Sequence, residues 1–147
     1  MNKKRLFVDL SIILLIGLIP LLWFRGDVVI LGHDSGLPLD PITHFLDRLY
    51  VWSQRFDIGS DQSYALLGAF FIHGLEALLA FLGFSLQLGQ KIQFIFWFTM
   101  PGIAMYFFVR KTWPEKIYMA RVAPIIYMIN YYLIQGWFIA ERTKFSI

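Results

Sequence analysis

Two carboxylates and an imidazole are gathered in "GHDSGLPLDP", Gly32 to Pro41, directly after a run of almost pure hydrocarbon. Asp34 lies between Gly32-His33 and Ser35-Gly36, in a flexible stretch where no helix needs it as a cap. A carboxylate so placed can act as a general base or help to hold a divalent cation, and the neighbouring His33 can orient a proton or a phosphate. The plain alternative for Asp34 is a solvated turn residue. Asp40 has a stronger structural explanation. It precedes Pro41, the arrangement of an N-cap aspartate followed by proline at the first helical position, where the missing N–H costs nothing. Asp34 is therefore the first choice for a catalytic carboxylate and Asp40 the second. Asp61 and Ser60, before "QSYALL", have the same capping explanation as Asp40.

Other chemistry-bearing residues are sparser. Arg48 and Arg55 follow on the charged side of the next segment, and an arginine there could meet a phosphate. His33, His44 and His73 have no metal-ligand spacing, and no Walker loop, GxSxG elbow, HExxH helix or dinucleotide fingerprint is present. No metal site is expected beyond a divalent cation at Asp34. His73 and Glu76 stand one helical turn apart and can pair with each other. The chain has no cysteine, which removes disulfides and thiolate metal sites.

The elements that must position these residues belong to a bilayer. The 147 residues are 58% hydrophobic and 18% aromatic, against about 45–50% apolar in a soluble domain. Between Arg25 and Asp61 six aspartates face three arginines, a net −3 in a chain of +3, so the remaining segments carry +6. That partition is a topology signal. No basic stripe with interleaved aromatics points to nucleic acid.

Lys3, Lys4 and Arg5 precede an apolar run over 6–24 that lacks a small-x-small cleavage site, which predicts an uncleaved first span with its N-terminus in the cytoplasm. Asp9, near that end, is expected to reach the interface. Residues 25–63 then form an external loop. Within it, over 41–56, Ile42, Phe45, Leu46, Leu49, Trp52 and Phe56 share one helical face, opposite His44, Asp47, Arg48, Gln54 and Arg55. This pattern predicts an amphipathic helix lying on the membrane surface. Further apolar segments occupy 64–84, 92–109 and 117–140. If 64–84 crosses, the basic group Arg110, Lys111, Lys116 and Arg121 falls outside, against the positive-inside tendency. If it is re-entrant, that group joins Lys3, Lys4 and Arg5 inside. Glu76 within a span would also cost about 2.5–3.5 kcal/mol on insertion scales. The expected architecture is thus all-α and polytopic, a single membrane domain with three spans, or four if 64–84 crosses.

The order of parts resembles the N-terminal region of GT-C integral-membrane glycosyltransferases, particularly arabinofuranosyltransferase-like and YfhO-like members. The resemblance rests on the first helix, the loop "GHDSGLPLDP", the surface helix "ITHFLDRLYVWSQRFD" and the segment "GAFFIHGLEALLAFLGFSLQLGQKIQFIFWF". It implies sugar transfer from a polyprenyl-phosphate donor at the external face of the plasma membrane, with a loop carboxylate as base or, in some branches, metal ligand. Asp34 matches that carboxylate first and Asp40 second; His33, Arg48 and Arg55 would meet the donor phosphate. The expected partners are the bilayer, the lipid-linked donor, and further helices of the same protein or of a membrane partner, the chain reading as part of a larger domain and as inactive alone. The competing class is a non-enzymatic small membrane subunit, scaffold or transporter component, for which the acidic loop is only a connection.

Overall fold

A computed structural model describes residues 3–24, 26, 28–30, 38–53, 59–130 and 144–146. Among these the chain is mostly helical, with five α-helices and two short antiparallel ladders. It divides into two compact units: residues 1–32 with 94–147, and residues 33–93.

The first unit is built on two long apolar helices. Helix α1 (Lys3–Gly17) gives way to a 3₁₀ turn at Ile19–Trp23. The change falls where Pro20 cannot donate to the helical ladder. Fifteen residues at about 1.5 Å and five at about 2.0 Å reach about 33 Å, enough for a hydrocarbon core of about 30 Å. Helix α4 (Leu86–Thr112) runs for 27 residues, about 40 Å. It begins six residues before the expected segment, and Pro101 sits inside it without ending it. Both helices are long and apolar enough to cross a membrane, and only 28% of each apolar window is buried.

Contacts between α1 and α4 run in opposite sequence order. Asp9 meets Tyr106, Ile13 approaches Gly102, Gly17 approaches Thr99, and Trp23 stacks edge-on against Phe94 and Phe98. The pair is therefore antiparallel. Close approach depends on the glycines: a Cβ at Gly17 would collide with the Thr99 hydroxyl, and one at Gly102 with the Met128 sulfur. Helix α5 (Ile117–Met128) completes the core, where Ile13, Phe98, Tyr106, Val109, Ala120 and Met128 are buried together. The expected segment 117–140 is described as helix only to Met128; residues 131–140 lie outside the described residues.

Two short strands give this unit an end that the hydrophobic pattern did not announce. Strand β1 (Val28–Ile30) pairs antiparallel with β4 (Lys144–Ser146), with Val29 opposite Phe145. Ile30 is buried with Trp23 and Phe24, against Phe94. The ladder thus sits beside the C-terminal end of α1, whereas the start of α5 sits beside its N-terminal part, where Arg121 meets Asp9.

In the second unit, α2 (Pro41–Arg48) packs on α3 (Leu66–Phe81). The helix expected over 41–56 stops at Arg48. Beyond it Val51, Trp52 and Ser53 are better suited to extended backbone, and β2 (Trp52–Ser53) pairs with β3 (Ser60–Asp61). Helix α3 ends at Gly83, whose φ of +82° is the left-handed conformation that glycine adopts freely. The N–H of Phe84 donates to Leu79 O at 3.1 Å and that of Gly83 to Ala80 O at 3.0 Å, closing the last turn. Ser85 caps the next helix, its Oγ accepting from the Leu88 N–H at 3.3 Å. The sixteen residues of α3 reach only about 24 Å.

Candidate functional site

The sequence-predicted carboxylates separate sharply. Asp40 is the N-cap of α2, accepting the Thr43 N–H at 3.1 Å. The Thr43 hydroxyl, then its N–H, hold the Asp40 carboxyl below its ordinary value, as expected for hydrogen bonds to an ionised cap. Asp61 is held down likewise by the Ser63 N–H at 2.8 Å and then the Ser63 hydroxyl at 3.0 Å. Asp40 therefore has a structural role that accounts for its carboxylate. Arg48 lies in the last turn of α2, where a cation complements the negative end of the helix dipole. Asp34, His33 and Arg55 lie outside the described residues.

A different polar group occupies the second unit. His73 and Glu76 on α3 are joined by a 2.8 Å bond between Nδ1 and Oε2. The other carboxylate oxygen, Oε1, accepts the side-chain amide of Gln93 at 2.8 Å. From α2 the His44 ring packs edge-on against His73 with ring centroids 4.6 Å apart. The Glu76 side chain is 8% exposed and that of His73 is 21% exposed. Its i,i+3 spacing made the His73–Glu76 pair legible in the sequence. The additions of His44 and Gln93 come from two other helices and left no local signal.

Both flanks of α3 are open. On one, Ile42 and Phe45 of α2 with Phe70, Gly74, Ala77 and Phe81 of α3 line an apolar groove of about 490 Å³. Gly74 lies beside the Phe45 ring. On the other, Glu76 is the only charged residue among the described residues that line a cleft of about 180 Å³, otherwise walled chiefly by Leu79, Ala80, Phe84 and Leu86. The apolar face expected of α2 is thus partly used to build the groove. Leu46 and Leu49 of the same face remain exposed.

The first unit holds its own polar group, and here an expectation is corrected. Asp9 does not reach outward to the interface but is buried, its Oδ1 accepting Arg121 Nε at 2.8 Å and its Oδ2 accepting the Tyr106 hydroxyl at 3.0 Å. A carboxylate among apolar helices must be neutralised or hydrogen-bonded, and these two donors do both. Among the described residues no trio of histidine and acidic side chains is placed to hold a metal ion.

Comparison with known proteins returns no family model, no curated protein and no solved structure similar to this chain.

Proposed function

We propose that the chain acts as, or within, a membrane glycosyltransferase that moves a sugar from a polyprenyl-phosphate donor at the external face of the plasma membrane. The observation that carries this reading is the apolar groove between α2 and α3. It lies in the unit that also contains the Asp34 segment, and its walls suit a hydrocarbon chain with no polar group of its own to satisfy. In this reading the groove holds the isoprenoid, Arg48 and Arg55 with His33 meet the phosphate, and Asp34 deprotonates the acceptor hydroxyl as it attacks the anomeric carbon. The lipid phosphate leaves.

The antiparallel α1–α4 pair supports the topology this requires. Two antiparallel spans leave everything between them starting and ending on one side, so residues 25–85 cross an even number of times. Helix α3 is the single long apolar helix described there, and at about 24 Å it is short of the bilayer core. A re-entrant or interfacial α3 satisfies both. It also groups Arg110, Lys111 and Lys116 with Lys3, Lys4 and Arg5 at the cytoplasmic side. The β1–β4 ladder then belongs to the external side, and three crossings carry the chain there. The low burial of α1 and α4 fits lipid-facing helices, since a core helix of a soluble domain would bury most of its apolar residues.

Two measurements test the reading. Asp34→Asn in the full-length protein abolishes transfer of sugar from the polyprenyl-phosphate donor while membrane insertion is unchanged; retained transfer sinks the assignment. Because the chain has no cysteine of its own, single Ser85→Cys and Thr112→Cys variants report topology. Ser85→Cys labels from outside with an impermeant thiol reagent and Thr112→Cys does not. The reverse pattern removes the re-entrant arrangement.

A further inference from the structure

The register of the α1–α4 pair continues past its buried part. Asp9 meets Tyr106, Ile13 approaches Gly102 and Gly17 approaches Thr99, so partners advance by four along α1 as they retreat by three or four along α4. One turn further in the other direction, the same register sets Arg5 opposite Arg110, near the start of α1 and the end of α4. A step of four keeps a residue on the same helix face, so both arginines stand on the side of the seam. Among the described residues no ion pair involves Arg5, Arg110, Lys111 or Lys116. In segments 3–5 and 110–116 only Glu115 is acidic, against Lys3, Lys4, Arg5, Arg110, Lys111 and Lys116. Arg110 is half-buried, and its Nη1 donates to Pro114 O at 2.8 Å, which holds the guanidinium at the α4–α5 turn and uses one of its five donors. Two permanent cations facing each other across a seam repel unless an anion lies between them.

We propose that Arg5 and Arg110 bind the phosphodiester of an anionic phospholipid of the cytoplasmic leaflet, between the first turn of α1 and the last turn of α4. A guanidinium meets a phosphate through two parallel N–H···O bonds, and two guanidinium groups on either side of the seam can share one phosphate. The height along the helices suits a lipid. Phe7 and Val8 follow Arg5, Phe107 and Phe108 precede Arg110, and all four are exposed, so acyl chains find apolar helix surface directly next to the headgroup. Trp113, exposed and stacked edge-on against Phe108, is an amphipathic ring of the kind that sits at the boundary of hydrocarbon and water. The lysines around the pair favour a headgroup of net negative charge over phosphatidylcholine, whose choline cancels its phosphate. The proposal rests on α1 and α4 as membrane spans, and not on sugar transfer or on the course of α3.

The test uses the full chain in phosphatidylcholine nanodiscs, with bimane on Thr112→Cys as the reporter at this end of α4. Phosphatidylglycerol or phosphatidylcholine carrying a nitroxide near the top of its acyl chain is added, and quenching is followed against its mole fraction. Phosphatidylglycerol is expected to quench saturably and at lower mole fraction than phosphatidylcholine. Arg5→Gln and Arg110→Gln each reduce that preference about fivefold, the factor that one cation near a charged membrane surface supplies. Lys111→Gln removes the same charge at the same end but off the seam, and reduces it less than either arginine change. Equal quenching by the two lipids overturns the proposal. An equal loss in Lys111→Gln and the arginine variants overturns it as well, because the attraction is then diffuse. If inorganic phosphate displaces the lipid where sodium chloride of the same ionic strength does not, the seam takes a free anion and the lipid assignment falls. A chain that does not enter the nanodisc removes α1 and α4 as spans together with the proposal, whereas an inserted chain without lipid preference removes the proposal alone.

Discussion

Two buried carboxylates, Asp9 and Glu76, are satisfied to the same degree and placed to opposite ends. Asp9 takes one bond from Arg121 and one from Tyr106, so it ties α1 to α4 and α5. Glu76 takes one bond from Gln93 and one from His73. The first arrangement joins three helices. The second joins α3 to α4. A buried charge pair is weak evidence of either stability or function by itself; what distinguishes these two is the partner, a permanent cation from a distant helix for Asp9 and an imidazole one turn away with a neutral amide for Glu76.

Stability measurements sharpen this contrast. Arg121→Leu leaves Asp9 buried with only the Tyr106 hydroxyl, and is expected to cost about 3 kcal/mol, the low end for a broken buried pair because Arg121 is partly exposed. Denaturation in mixed micelles measures it, and the double variant with Asp9→Leu should recover most of the loss. A double variant as unstable as the single one would mean that Asp9 holds the helices by a route other than this pair. Next in size is Gly17→Val, which drives a side chain into Thr99 and should cost about 1–3 kcal/mol, partly restored by Thr99→Ala. Glu76→Gln is expected to stay below about 1 kcal/mol, since a neutral amide still accepts from Gln93. Should it rival Arg121→Leu, the contrast breaks and Glu76 is a second structural tie.

The smallest effect is at Asp40. Its carboxyl is held below the ordinary value of 3.8 by Thr43 in the folded chain. The cap therefore stabilises α2 fully above that ordinary value, and the contribution is lost as pH falls through the depressed one. Circular dichroism should register a minor loss of helix on acidification that Asp40→Asn removes, since asparagine caps without titrating. A pH response that survives Asp40→Asn assigns the effect to another carboxyl.

Legibility followed the range of the interactions. The apolar runs in α1 and α4 are visible because burial in lipid or protein is written in each residue, and the start of α2 because Asp40-Pro41 is a local signal. The end of α2 is not legible, because the exposed continuation of its apolar face, Leu49 and Trp52, keeps helical spacing while the backbone of Trp52 and Ser53 pairs with Asp61 and Ser60 instead. Sequence reading puts Asp9 at the interface, since nothing near it in sequence can pair with it. Its partners are 97 and 112 residues away.

Sequence alone predicted a helical chain with three or four membrane spans, of which the structure describes two helices long and apolar enough to cross, and it announced the capped short helix between them and the i,i+3 His73–Glu76 pair. Each of these depends on interactions within one turn or on the hydrophobicity of one segment. Tertiary structure alone decided that α1 and α4 run antiparallel, that Arg121 and Tyr106 close on Asp9, and that Gln93 completes the hydrogen bonding of Glu76. Those outcomes depend on which side chains from distant segments share a low-dielectric space, where every carboxylate oxygen must find a donor.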